Sequence, residues 1–103
     1  MSSASNDVER GQTYFLFGCA LNELGENSGA LENLLEAVTV FPIFQPLLVA
    51  HAQDELARMQ YSNGFMSSAL FFIEMAIANF ELGGNTAMKE SCEKLREAIL
   101  WKS

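Results

Sequence analysis

The sequence has little of what most enzymes and nucleic-acid binders need. Of 103 residues only six are cationic and one is histidine, against 13 acids, for a net charge of −7. No basic patch is available to draw nucleic acid or an anionic membrane surface. The charge favours a basic or neutral partner, or serves only to keep an apolar chain in solution. The two cysteines, Cys19 and Cys92, fit no metal or redox spacing, and read as buried reduced thiols of a cytoplasmic protein. No apolar run reaches the roughly 18 residues of a spanning helix. The start, "MSSASNDVERG", lacks the charged beginning and apolar run of a signal peptide. Gly-rich phosphate loops and nucleophile elbows are missing too. His51 precedes Asp54 and Glu55 with no further converging group, and reads as a surface histidine on an acidic helix. Glu32 and Glu36, one turn apart, read as a solvated face. No catalytic residue, metal or cofactor is expected.

Apolar residues are abundant. They make up 50% of the chain, with five Met and eight Phe. That is a rich core for one domain of this length, so part of it is available to a partner. The stretch "ALFFIEMAIANF", Ala69 to Phe80, has only Glu74 and Asn79 as polar residues. A helix so short of a polar face needs cover on several sides.

Helical periodicity organises the rest. Residues 1–7 are Ser-rich and are expected to be disordered. A first helix spans Val8 to Leu24, with Tyr14, Phe17, Leu21 and Leu24 as its stripe, widened by Phe15 and Leu16. Gly25 ends it, and Asn27 or Ser28 can cap a second helix reaching Phe41. Its inward residues are Ala30, Leu31, Leu34, Leu35, Val38 and Phe41. Pro42 breaks that helix, and Pro46 suits the first turn of a third, which runs to Tyr61 with Leu47, Leu48, Ala52, Leu56 and Met59 repeating on one face. "SNG" precedes a fourth helix from Phe65 to Leu82, and "GGN" separates it from a fifth, Thr86 to Trp101, with Met88, Cys92, Leu95, Ile99 and Trp101 on its inner, apolar side. The expected fold is all-α. It consists of antiparallel helical hairpins over 8–42 and 46–82, with a closing helix over 85–102.

A repeat sharpens this. Residues 14 to 42 place Tyr14, Phe17-Gly18, Leu21, Ala30, Leu34, Ala37 and Pro42 at the spacing of the tetratricopeptide pattern. A weaker copy sets Gly64 against Gly25, Ala69 against Ala30, Ile73 against Leu34 and Ala76 against Ala37. In it, Gln53 and Gln60 replace Tyr14 and Leu21, and "PIFQP" adds about five residues to the 34-residue period. "ELGGN" at 81–85 echoes "ELGEN" at 23–27, so the last two helices also allow reading as a third, truncated hairpin. The chain thus resembles the tetratricopeptide repeat family.

That resemblance implies a peptide-binding groove lined by the first helix of each hairpin. Helical geometry puts Gln12, Phe15, Cys19, Asn22 and Glu23 there from the first helix. The third contributes His51, Asp54, Arg58, Tyr61 and Ser62. Family members that grip a C-terminal carboxylate use Lys and Asn at such places. With Phe15, Cys19 and Asp54 instead, an apolar helical segment of some basic character fits better. Ordinary core packing is the competing reading for Phe15, Cys19 and Tyr61. A second surface, Leu70, Phe71, Glu74 and Ala78, has no evident cover within the chain, whereas Phe72, Met75 and Phe80 can face the closing helix.

In size, acidity and architecture the chain also resembles the small type III secretion chaperones that hold a needle subunit with a helical co-chaperone. This implies a cytoplasmic, non-catalytic protein that shields the amphipathic helix of an aggregation-prone partner, and self-associates when alone. The alternative is a tetratricopeptide adaptor within a larger assembly.

Overall fold

The computed structural model describes residues 3–102. Among them are five helices and no strand: α1 (Ser3–Glu23), α2 (Asn27–Val40), α3 (Pro46–Ser62), α4 (Met66–Leu82) and α5 (Thr86–Lys102). The all-α hairpin architecture is as the periodicity predicts. One boundary differs clearly: α1 begins at Ser3, so residues 3–7 belong to the helix rather than to a disordered start. Extending a helix already nucleated costs little, and Arg10 Nη1 donates to Asp7 Oδ1 at 3.1 Å across the first turns. Residues 1 and 2 lie outside the described residues.

Three of the four connections are built alike. Gly25, Gly64 and Gly84 have φ of +81°, +85° and +78°, the left-handed region that favours glycine. The next residue in each turn donates its N–H to a carbonyl five residues back: Glu26 to Leu21, Phe65 to Gln60 and Asn85 to Phe80, all at 2.9 Å. This is the Schellman closure of a helix. The same three residues start the following helix. Glu26, not Asn27 or Ser28, therefore occupies the N-cap of α2, without a side-chain cap bond. Asn85 does cap α5, its Oδ1 accepting the Met88 N–H at 3.1 Å. The α2–α3 connection is different: Phe41 turns extended at ψ 136° ahead of buried Pro42, and Pro46 opens α3.

Packing follows the small residues of the repeat. Ala30, Leu34 and Ala37 of α2 and Ala69, Ile73 and Ala76 of α4 are all fully buried. On α1 the closest approach is at Gly11 and Gly18, whose missing Cβ atoms leave room for Phe41 and Leu34. That seam corrects the expected inner stripe. Phe17 lies about 100° around the helix from Gly18 and is 60% exposed, while Tyr14 and Leu21 are half-buried. Leu24 and Leu35 are exposed as well, and Trp101, placed on the inner side of α5, is 90% exposed.

On α5, Cys92, Leu95 and Ile99 are buried in the core shared with α3 and α4. The echo of 23–27 at 81–85 sets Met88, Cys92 and Leu95 against Ala30, Leu34 and Ala37. Consecutive helices pack side by side; α3 also touches α1 and α5, whereas α2 and α4 do not meet. The α1–α3–α5 side is therefore the inner side of a curved stack with extents 47 × 32 × 18 Å.

Candidate protein-binding surfaces

The inner side has one well-defined cleft. Gln12, Phe15 and Leu16 of α1 face Leu48 and His51 of α3, with Phe41 buried behind them, around a volume of about 390 Å³. Phe15 is half-buried and also packs on the core that contains Leu34 and Leu56, so it is both wall and support. Three of the residues predicted for a groove, Gln12, Phe15 and His51, thus come together. Leu16, Phe41 and Leu48 join them although the sequence reading assigned them to helix seams. The i, i+4 step from Gln12 to Leu16 was the signal available for one of them.

Further down α1 the character turns acidic. Cys19 packs on the core beside Phe15. Its thiol is pushed up to about 11 by burial and by the nearby Glu55 and Glu23 carboxylates. Asn22 Nδ2 donates to Glu55 Oε2 at 3.4 Å, tying α1 to α3. Among the described residues neither Glu23 nor Glu55 has a cation within salt-bridge distance.

Of the other predicted groove residues on α3, Asp54, Arg58 and Tyr61 contact α5, while Ser62 is exposed. Asp54 is buried; its Oδ1 accepts from Arg58 Nε at 2.9 Å and from Cys92 Sγ at 3.4 Å. Arg58 Nη2 donates to Ser91 Oγ at 3.2 Å. Tyr61 is half-buried, with Lys102 Nζ 5.1 Å from its ring centroid. Asp54 is thus buried beside α5, whereas Arg58 and Tyr61 touch α5 and stay partly exposed. His51 points away from this cluster, its ring edge-on to Phe80 at 5.0 Å. Among the described residues no three His, Cys, Asp or Glu side chains gather as a metal site.

No family model, curated protein or solved structure matches the chain. Its surfaces must speak from their own chemistry.

A second surface lies on α4. Phe71, Met75, Ala78 and Leu82 are exposed and recur at i, i+4, i+7 and i+11, with Glu74 beside them. Phe71, Glu74 and Ala78 are uncovered as expected. Two assignments are exchanged. Leu70 packs against the core with Leu95 and Ile99, while Met75, expected to face α5, is 37% exposed. Phe72 bridges the α2–α3 and α3–α5 cores instead.

Proposed function

We propose that the protein is a non-catalytic chaperone that binds an amphipathic helix of another protein. The observation that carries this reading is the α1–α3 cleft. It offers an apolar hollow at Phe15 and Leu16 and, about two turns along α1, the uncompensated carboxylates of Glu23 and Glu55. A helix lying along α1 would seat an apolar anchor in the hollow and set a Lys or Arg over the acids seven or eight residues away. Low cation content in the chain suits such a basic partner. Together with the tetratricopeptide-like hairpins, this favours a cytoplasmic type III secretion chaperone for a needle subunit, working with a small helical co-chaperone. A second reading, an adaptor in a larger complex, draws on the separate apolar stripe of α4.

The test uses two synthetic amphipathic peptides with one apolar face, one with Lys and one with Glu opposite Glu23 and Glu55. The Lys peptide should bind more tightly, and Leu16→Asp should weaken it at least about tenfold while helicity stays unchanged. Leu16 is 66% exposed, so the substitution spares the core. Equal binding of both peptides, or no effect of Leu16→Asp, would rule out this cleft as the site.

A further inference from the structure

The two ends of the helical stack are left unfinished in complementary ways. At one end is α1, at the other α5, and the two do not touch. Terminal units of a stacked helical array need a polar outer face to stay single. Here α1 exposes Phe17 and Leu24, and α5 exposes Leu100 and Trp101.

Their charges are opposite. Four of the six cations lie on α5, beside three of the 13 acids, which leaves ten acids against Arg10 and Arg58 in residues 1–85. On α5, Lys89 lies 3.5 Å from Glu81 and Lys102 covers the Tyr61 ring, but Lys94 has no acid within salt-bridge distance among the described residues. Lys94 and Trp101, two turns apart on one face, line the same hollow with Glu97, Ala98 and Leu100. At the α1 end, Tyr14, Phe17 and Glu9 line a hollow of about 580 Å³. Tyr14 and Asn33 also border an adjoining hollow walled by Glu32 and Glu36. Arg10, in the first hollow, is neutralised by Asp7. One end thus offers an aromatic anchor flanked by Lys94 and Glu97, the other an aromatic-lined hollow with three carboxylates that have no cation within salt-bridge distance among the described residues.

We propose that the chain associates head to tail with a second copy, Trp101 of one copy entering the hollow at Tyr14 and Phe17 of the next, and Lys94 meeting its acids. The contact joins two different surfaces, so it does not close at a dimer and extends to longer species as concentration rises. This surface is separate from the α1–α3 cleft, and partner-helix binding there can fail without touching the proposal.

Analytical ultracentrifugation of the full chain tests it with two variants. Phe17→Asp blocks one end and Trp101→Ala the other; both side chains are exposed, so neither opens the core. The wild type should form dimers and longer species, less so in high salt. Each variant alone should be monomeric, with its dissociation constant raised roughly thirtyfold or more, as for loss of a buried Trp anchor. Mixed in equal amounts, the two should form a dimer and nothing larger, because one intact end of each kind remains. A monomeric wild type would overturn the proposal and leave these ends to a different protein. Association of either variant alone, or a mixture that stays monomeric, would overturn it as well.

Discussion

At the scale of single residues, absent and hidden atoms do most of the positioning. A Cβ on Gly18 would fall 2.7 Å from Leu34 Cγ and 3.2 Å from the Leu34 backbone nitrogen. In an isolated helix Gly→Ala gains about 1 kcal/mol. In a packed seam the overfilling costs about 1–3 kcal/mol, and here backbone is involved, which cannot swing aside. Gly18→Ala should therefore lower stability by about 1 kcal/mol in urea unfolding; a stabilised variant would show that α1 and α2 are not in close contact. The thiols are governed by burial. Cys92, fully buried and donating to the Asp54 carboxylate, is pushed up to about 12, chiefly by desolvation, then by the Asp54 charge and their hydrogen bond. Cys19 is at about 11, against an ordinary value of 9.0 for both. Folding thus favours the protonated thiols. Their contribution to stability is full below pH 9.0 and is lost as pH rises through the range from about 11 to 12. Native protein should resist thiol alkylation at pH 8, where the urea-unfolded chain reacts readily. Unfolding free energy should fall above pH 9 less steeply in Cys92→Ala than in the wild type. Rapid native labelling at pH 8 would contradict this burial.

At the scale of the helix, α4 has two apolar faces with separate duties. Ile73, Ala76 and Phe80 are fully buried, whereas Phe71 and Met75 are open. Phe80→Ala should cost about 3–5 kcal/mol in chemical denaturation. Phe71→Gln should stay within about 0.5 kcal/mol, as a surface change does. A comparable loss for both would mean that Phe71 is held in the fold by more than its edge-on contact with Phe72. Sequence periodicity made these elements legible. Four helix starts and all five helix ends fell within a residue of expectation, because glycine turns and Pro42–Pro46 punctuate the chain so sharply. The alanines of the repeat were legible too, since only small side chains allow helices so close. What escaped was rotation about the helix axis. Phe17 and Trp101 have core chemistry and face solvent, and Leu70 and Met75 exchanged sides. Apolar content was spread almost all round α4, so periodicity could not choose which face the neighbouring helices take. Asp54 was misplaced for a related reason: charge alone gave no sign that Arg58 and Cys92 would satisfy it beside α5.

At the scale of the whole molecule, the stack divides where neighbours bury least. α2 meets α3 over a smaller surface than joins α1 to α2, α3 to α4 or α4 to α5. The irregular Phe41–Gln45 connection lies at the same place. On the far side one continuous core runs through α3, α4 and α5, from Ala50 to Ile99. The α1–α2 hairpin has smaller clusters, completed by Leu56, Met59 and Ala52 of α3, with Leu48 and Val49 of α3 and Phe72 of α4 packed against them. It therefore depends on α3, while α3–α5 has a core that owes little to α1 and α2. Openings of the native state should follow that asymmetry. Native-state hydrogen exchange should find amides in the middle of α1 and α2 exchanging through openings that leave α3 and α4 protected. Leu34→Ala, which removes a side chain fully buried in the α2–α3 seam, should speed exchange in α1 and α2 and leave the centre of α4 nearly unchanged. Phe80→Ala, in the larger core, should speed exchange throughout, because loss of α3 and α4 removes the support of the first hairpin. Uniform protection across all five helices, or acceleration at the centre of α4 by Leu34→Ala equal to that in α1, would show instead a single cooperative unit. The division matters for binding because the α1–α3 cleft straddles it, with Phe15 and Leu16 on the less stable side and Leu48 and His51 on the more stable one. A helix seated there would clamp the two parts together. Exchange in α1 and α2 should therefore slow more than in α5 when a peptide occupies the cleft.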